Sequence, residues 1–202
     1  MGLEEYRRKR NLGETPEPVG GERRRARSKK IFVVQKHDAT RLHYDFRLEI
    51  GGVLVSWAVP KGPSMNPADK RLAIQTEDHP IEYAGSEGVI PEGQYGAGVV
   101  MVWDKGGYEP EGEPSPEEQL ERGEVKMVLH GNRLRGEFVL VRTGRLSAKA
   151  GKKKAWLLIK HRDEYADPEW DIEARSLGRS ALTGRTMKEI AEERSAKRRA
   201  AG

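Results

Sequence analysis

The apolar positions of this chain recur mainly with a period of two. From Leu42 the order runs apolar, polar, apolar without a break: Leu42, Tyr44, Phe46 and Leu48 fall in one phase, His43, Asp45 and Arg47 in the other. On a strand these sets lie on opposite faces, so one enters a core while the other lines up an imidazole, a carboxylate and a guanidinium. Further strand-like runs surround it: I-F-V-V-Q-K from Ile31, V-L-V-S-W-A-V-P, R-L-A-I-Q-T-E-D-H-P, V-V-M-V-W-D, V-K-M-V-L-H, E-F-V-L-V-R and A-W-L-L-I-K-H. Gly51-Gly52, between two such runs, reads as a hairpin turn. Arg71, Ala73, Gln75, Glu77 and His79 share one phase of a single expected strand, and Trp57, Trp103 and Trp156 sit in apolar runs expected to be core. Seven or eight short strands, separated by Gly and Pro turns with little helix, specify a mainly β fold: a single closed or partly closed β-barrel of about eight strands with short flanking helices.

The ends read differently. Residues 1–30 form a polar arm contributing to the site, with a short helix over Leu3–Arg10, a T-P-E-P-V-G-G connector and a basic E-R-R-R-A-R-S-K-K cluster, and little packed structure of its own is expected there. Residues 109–124 are acidic and Pro-rich, a surface insertion or short helix. Residues 176–202 form a polar tail or interdomain linker, with a helix over Thr186–Arg199 too poor in apolar residues to join a core. The barrel domain is thus placed at 31–175.

Composition narrows the chemistry. The 202 residues carry a net charge of +5, which favours a polyanionic partner. The absence of cysteine excludes disulfides, Cys-based zinc sites and thiol nucleophiles. No apolar run reaches membrane-spanning length and the first residues lack a signal-peptide core, so a soluble, cytoplasmic and nucleoid-associated protein without membrane contact is expected. Residues 142–162 contain many cations and no acid; Arg145, Lys149, Lys152, Lys153 and Lys154 are expected to meet a nucleic-acid backbone. The glycine-rich stretch G-V-I-P-E-G-Q-Y-G-A-G fits neither a P-loop nor a dinucleotide fingerprint.

Neighbours two apart on one strand face are roughly 6.5–7 Å apart at Cα, close enough for His43 and Asp45 to converge on one ion. His37, folding back from a turn-like H-D-A-T segment, would add a second imidazole. Two histidines and a carboxylate make a partial ligand set for a divalent transition metal. A plain surface His–Asp hydrogen bond would use the same residues. The arginine completing the face favours a functional reading, whereas His130 and His161 lack any motif and read as structural.

The blocks H-D-A-T-R-L-H-Y-D-F-R-L-E, W-A-V-P-K-G-P-S, R-L-A-I-Q-T-E-D-H-P-I-E-Y and G-V-I-P-E-G-Q-Y-G-A-G, in this order, resemble the phosphoesterase domain of bacterial DNA ligase D, which also exists free-standing. The resemblance covers about residues 3 to 175, and S-A-L-T-G-R-T-M-K-E-I-A resembles the segment that joins that domain to its neighbour. It implies a manganese-dependent β-barrel enzyme of non-homologous end joining. Such an enzyme removes a 3′-terminal ribonucleoside from a primer-template to leave a 3′-phosphate, then hydrolyses that phosphate to a 3′-hydroxyl. By the same resemblance His37, His43 and Asp45 would hold Mn²⁺ (Co²⁺ or Zn²⁺ being able to occupy the site). Arg47, Lys61, Arg71, Glu77, His79 and Tyr83 would be catalytic. Arg47, Lys61 and Arg71 would clamp the phosphate, Tyr83 would donate to a phosphate oxygen, and His79 would serve as general acid or imidazolium contact. Arg10 and Glu17 would bind substrate, from K-R-N-L-G-E-T-P-E-P, where Asn11 replaces the family's usual Asp. Ligase and polymerase modules and Ku are the implied partners. Two readings compete. One is a non-haem iron oxygenase-like barrel using His43-x-Asp45 and His79; the other is a non-catalytic nucleic-acid-binding barrel.

Overall fold

The computed structural model describes residues 2–20, 29–144, 154–174 and 177–192. Nine strands alternate along the chain: β1 (Lys30–Asp38), β2 (Leu42–Ile50), β3 (Val53–Val59), β4 (Lys70–Gln75), β5 (Gly88–Ile90), β6 (Gly98–Pro110), β7 (Glu124–Gly131), β8 (Arg135–Arg142) and β9 (Ala155–Lys160). They pair antiparallel in the order β1-β2-β3-β4-β9-β8-β7-β6, and β6 returns to pair with β1, closing an eight-stranded barrel. β5 adds a short ladder to the start of β6. Closure leaves the barrel proper with no open edge. β6 serves three neighbours because it is 13 residues long, far beyond the short strand that V-V-M-V-W-D alone suggests.

Period two sets the inside. Tyr44, Phe46 and Leu48 of β2 enter the main core with Phe32, Val34, Val55, Trp57, Trp103 and Trp156, all fully or nearly fully buried. Leu42, at the open end of β2, stays exposed. Short helices α1 (Glu4–Arg8) and α2 (Pro116–Arg122) flank the barrel. The sequence bounds α2 well: the Ser115 hydroxyl accepts from the Glu118 amide, Pro116 opens the first turn, and Gly123 closes it at φ 88°.

Both ends pack more than their composition suggests. The N-terminal arm is packed: Tyr6 is fully buried and joins Val33, Leu54, Tyr83 and Val102 in a second, smaller core on the outer surface of the barrel wall. A polar arm needs only one aromatic anchor to dock. The C-terminal tail also reaches the core, because Ile190 is 2% exposed within it, and Leu177 and Met187, partly buried, pack against that core. Sparse apolar residues suffice when they fall on one face. Helical backbone is seen through residue 192; the rest of the expected Thr186–Arg199 helix lies outside the described residues.

Candidate metal centre and its arginine network

The site lies on the outward face of β1, β2 and β3. Register brings His37 opposite His43, Gln35 opposite Asp45, and Arg47 opposite Ser56. Directly opposed residues in an antiparallel pair share a face. His37 therefore belongs to β1 itself and reaches His43 across the ladder, without folding back from a turn. The two imidazole centroids are 4.8 Å apart. Asp45 Oδ2 lies 3.7 Å from His37 Nδ1, and Asp45 Oδ1 lies 3.7 Å from His43 Nε2.

Backbone carbonyls fix both ring tautomers. His37 Nε2–H donates to Gly96 O at 2.8 Å, and His43 Nδ1–H donates to Arg41 O at 2.9 Å. A carbonyl only accepts, so these nitrogens carry protons, and in the neutral rings His37 Nδ1 and His43 Nε2 are the lone-pair atoms turned toward Asp45. Three electron-rich atoms within 4.8 Å of one another make a mixed N/O donor set that fits a divalent transition-metal ion. Gly96 accepts this duty at φ 75°, a left-handed backbone that side-chain-bearing residues disfavour.

Arg47, only 3% exposed, organises the layer behind. Its Nε donates to Gln35 Oε1 at 2.8 Å, Nη1 to Ser56 Oγ at 2.8 Å, and Nη2 to Asp45 Oδ2 at 2.9 Å. Burial opposes charge on Asp45, yet Arg47 overcomes it and holds the carboxyl well below the usual range. Gln35 in turn donates to Tyr83 O and Ser86 O, tying the sheet to the covering segment.

His79 sits between two guanidiniums. Its Nδ1 is 2.8 Å from Arg47 Nη1 and donates to Glu77 O at 2.9 Å, while Nε2 accepts from Arg10 Nη2 at 3.1 Å. Burial first, then Arg47 and Arg10, push its pKa well below the ordinary imidazole value, so the ring is neutral. The resemblance implies an acid or an imidazolium at His79; the ligand-free setting favours the neutral ring. It also separates His79 from the ligand cluster, because both ring nitrogens are engaged elsewhere, and the oxygenase-type triad does not assemble. Glu77 and His79 are not on a continued β4, which ends at Gln75. His79 is instead held by a two-way backbone bridge to Leu54.

The arm completes the layer. Arg10 donates to Glu17 Oε1 at 2.8 Å and to Glu77 Oε1 at 2.9 Å, with its guanidinium 4.1 Å above the Tyr6 ring. Burial opposes the Glu77 charge, but its own amide, Arg10 and Lys9 hold its pKa below the ordinary value. Tyr83 donates to Glu17 at 2.9 Å, and burial pushes its phenol upward. Its hydroxyl therefore faces the network and not an open phosphate site.

The remaining expected residues stand apart. Lys61 is exposed in the turn after β3, and the Val59–Tyr44 pairing puts that turn at the His43 end of β2. Arg71 lies in phase with inward-facing Ala73 and pairs with Asp69 at 2.8 Å, so the structure does not bring it to the cluster. Lys154 lines a cleft of about 760 Å³ with Arg142, Lys9 and Glu77. Arg145, Lys149, Lys152 and Lys153 lie outside the described residues. Sequence reasoning missed Gln35, Ser56, Tyr6 and Lys9. Gln35 shares its phase with His37, and Ser56 is the lone hydroxyl in an apolar run; Tyr6 and Lys9 carry no comparable signal.

Barrel and site together define a class: an antiparallel β-barrel with an imidazole–carboxylate centre on its outer wall, backed by buried arginines. Residues 35–142 match the family described as the DNA ligase D 3′-phosphoesterase domain, and the chain belongs to that family. It is 50% identical over 178 residues to the multifunctional non-homologous end joining protein LigD of Pseudomonas aeruginosa, covering 88% of this chain and 20% of that protein. The LigD proteins of Mycobacterium tuberculosis (50% over 141 residues, 70% of this chain and 18% of theirs) and Mycolicibacterium smegmatis (45% over 172 residues, 83% and 22%) are similar. The chain thus spans about a fifth of the length of these relatives. Among the described residues no helix is long and apolar enough to cross a membrane.

Proposed function

We propose that the chain is a Mn²⁺-dependent phosphoesterase that heals DNA 3′ ends in non-homologous end joining. In this reading it removes a terminal ribonucleoside and then hydrolyses the 3′-phosphate left behind. The observation that carries it is the His37–His43–Asp45 cluster, with two imidazole lone pairs already turned toward a carboxylate. A divalent ion bound there would supply Lewis acidity and neutralise phosphate charge.

The residues of the chain divide the remaining work. Asp45 stays ionised because Arg47 grips it, so the carboxylate ligand is ready at neutral pH. Lys61, exposed beside the His43 end of β2, is the cation placed to meet an incoming phosphate. Arg47 and Arg10 keep His79 neutral in the ligand-free site; an arriving phosphate dianion favours the imidazolium, so proton uptake is linked to substrate binding. Glu17, Glu77 and Tyr83 position Arg10 and His79 and do not touch phosphate. A DNA primer-template is the proposed substrate, with ligase and polymerase modules and Ku as proposed partners, in the cytoplasm with the nucleoid.

The test follows a 5′-labelled primer-template ending in one 3′-ribonucleotide, with Mn²⁺, with and without chelator. Shortening to a 3′-phosphate and then to a 3′-hydroxyl, lost with chelator and in His43→Ala, is expected. An intact primer that still binds would overturn the reading in favour of a binding barrel.

A further inference from the structure

We propose that Tyr95 is a stacking platform for the base of the substrate's 3′-terminal nucleotide, a subsite next to the metal centre. The proposal rests on the end-healing reading and adds where the terminal nucleoside lies.

Tyr95 is 47% exposed, while Tyr6, Tyr44, Tyr83, Trp57, Trp103 and Trp156 are all buried. It occupies the glycine-rich loop between β5 and β6, and the next residue, Gly96, supplies the carbonyl that orients His37. On its other side lies the arm. Lys9 Nζ is 5.0 Å and Arg10 Cζ 5.3 Å from the ring centroid, and Lys9 Nζ is within 3.4 Å of the phenol oxygen. Those same cations bind Glu77, and Arg10 also reaches His79. The ring thus lies against the cations of the arginine network, one residue from the carbonyl that orients His37, and it also lines the 760 Å³ cleft.

A tyrosine left half open in such a place has a use. A cation against an aromatic ring draws on its electron density and makes it a better partner for an electron-rich nucleobase. Stacking on an aromatic side chain tolerates any base, which suits an enzyme that must accept every terminal nucleotide. Gly93 and Gly96, at φ 82° and 75°, hold the loop in a path that presents the ring outward.

The test uses the whole chain with Mn²⁺ and a primer-template ending in a 3′-phosphate, in which the terminal base is normal, abasic or 2-aminopurine. Tyr95→Ala is expected to raise KM for the normal end on the order of tenfold, the range of one base–aromatic stack, with kcat little changed. Tyr95→Trp and Tyr95→Phe should retain the wild-type KM. An abasic end should make wild type and Tyr95→Ala alike, and 2-aminopurine emission should be quenched on binding wild type but not Tyr95→Ala. Equal KM loss for normal and abasic ends, or unaltered quenching in Tyr95→Ala, would overturn the subsite. A wild type that quenches 2-aminopurine but releases no phosphate would instead strike the end-healing reading and leave the stacking contact standing.

Discussion

Arg47 is the residue on which the site turns. It joins Gln35, Ser56 and Asp45 through three separate nitrogens, so replacing it leaves a buried carboxylate and a buried amide without their donor. Arg47→Gln is expected to destabilise the fold by about 3 kcal/mol, the scale for breaking a buried ion pair, in denaturant unfolding, and to abolish phosphate release. His79 gives a pH signature whose sign is fixed. Its folded pKa lies below the ordinary 6.5, so the unfolded chain binds a proton that the native chain refuses. Stability from this group is present above about pH 6.5 and falls as pH drops, by at most about 1.4 kcal/mol per unit. His79→Gln should flatten that part of the metal-free pH profile; an unchanged slope between pH 6.5 and 5 would contradict the buried neutral ring. At this scale the sequence was informative where one strand decides geometry. The alternation of β2 placed His43, Asp45 and Arg47 together, but contacts made across strands, such as Gln35 and Ser56 on Arg47, leave no trace in local spacing.

Among the elements, the N-terminal arm changes most between sequence and structure. Composition marks it as solvated, and of its described residues only Tyr6 and Glu17 are buried. Tyr6 nonetheless fills the space over His79 with ring centroids 5.1 Å apart, and Arg10 crosses from the arm into the site. Tyr6→Ala is expected to lower stability on the order of 3 kcal/mol and to let water reach His79. NMR titration of the ring should then show its pKa moving up toward the ordinary value. The strand carrying Arg71 shows the opposite failure. Period two was extended through Glu77 and His79, but β4 ends at Gln75, and the chain then crosses to bridge His79 to Leu54. Alternation does not reveal where a strand stops, so Arg71 shares a phase with Glu77 and His79 without sharing their surroundings.

For the whole molecule, barrel closure by β1 and β6 was legible as a class, from evenly spaced short strands, though not as a strand order. The return of the C-terminal segment to the core was not, because Ile190 is one apolar residue among charges. Ile190→Ala should reduce stability by about 2 kcal/mol, and a chain ending at residue 176 should lose at least as much, both read by denaturant midpoints. A solvated linker would show neither effect. Closure also explains how a site can sit on the outside of a barrel: the interior is filled by tryptophans and aliphatics, and the arm and the Glu77–Gly85 segment supply the missing wall.

The most direct test of the account measures phosphate release from a 3′-phosphate-ended primer-template as a function of Mn²⁺, for wild type and His43→Ala. His43 is partly exposed and its hydrogen bond is to a backbone carbonyl, so the variant should fold. A saturable rise with Mn²⁺ in wild type and a flat line in the variant are the expected results. Identical curves for the two proteins would place the chemistry somewhere other than the His37–His43–Asp45 cluster.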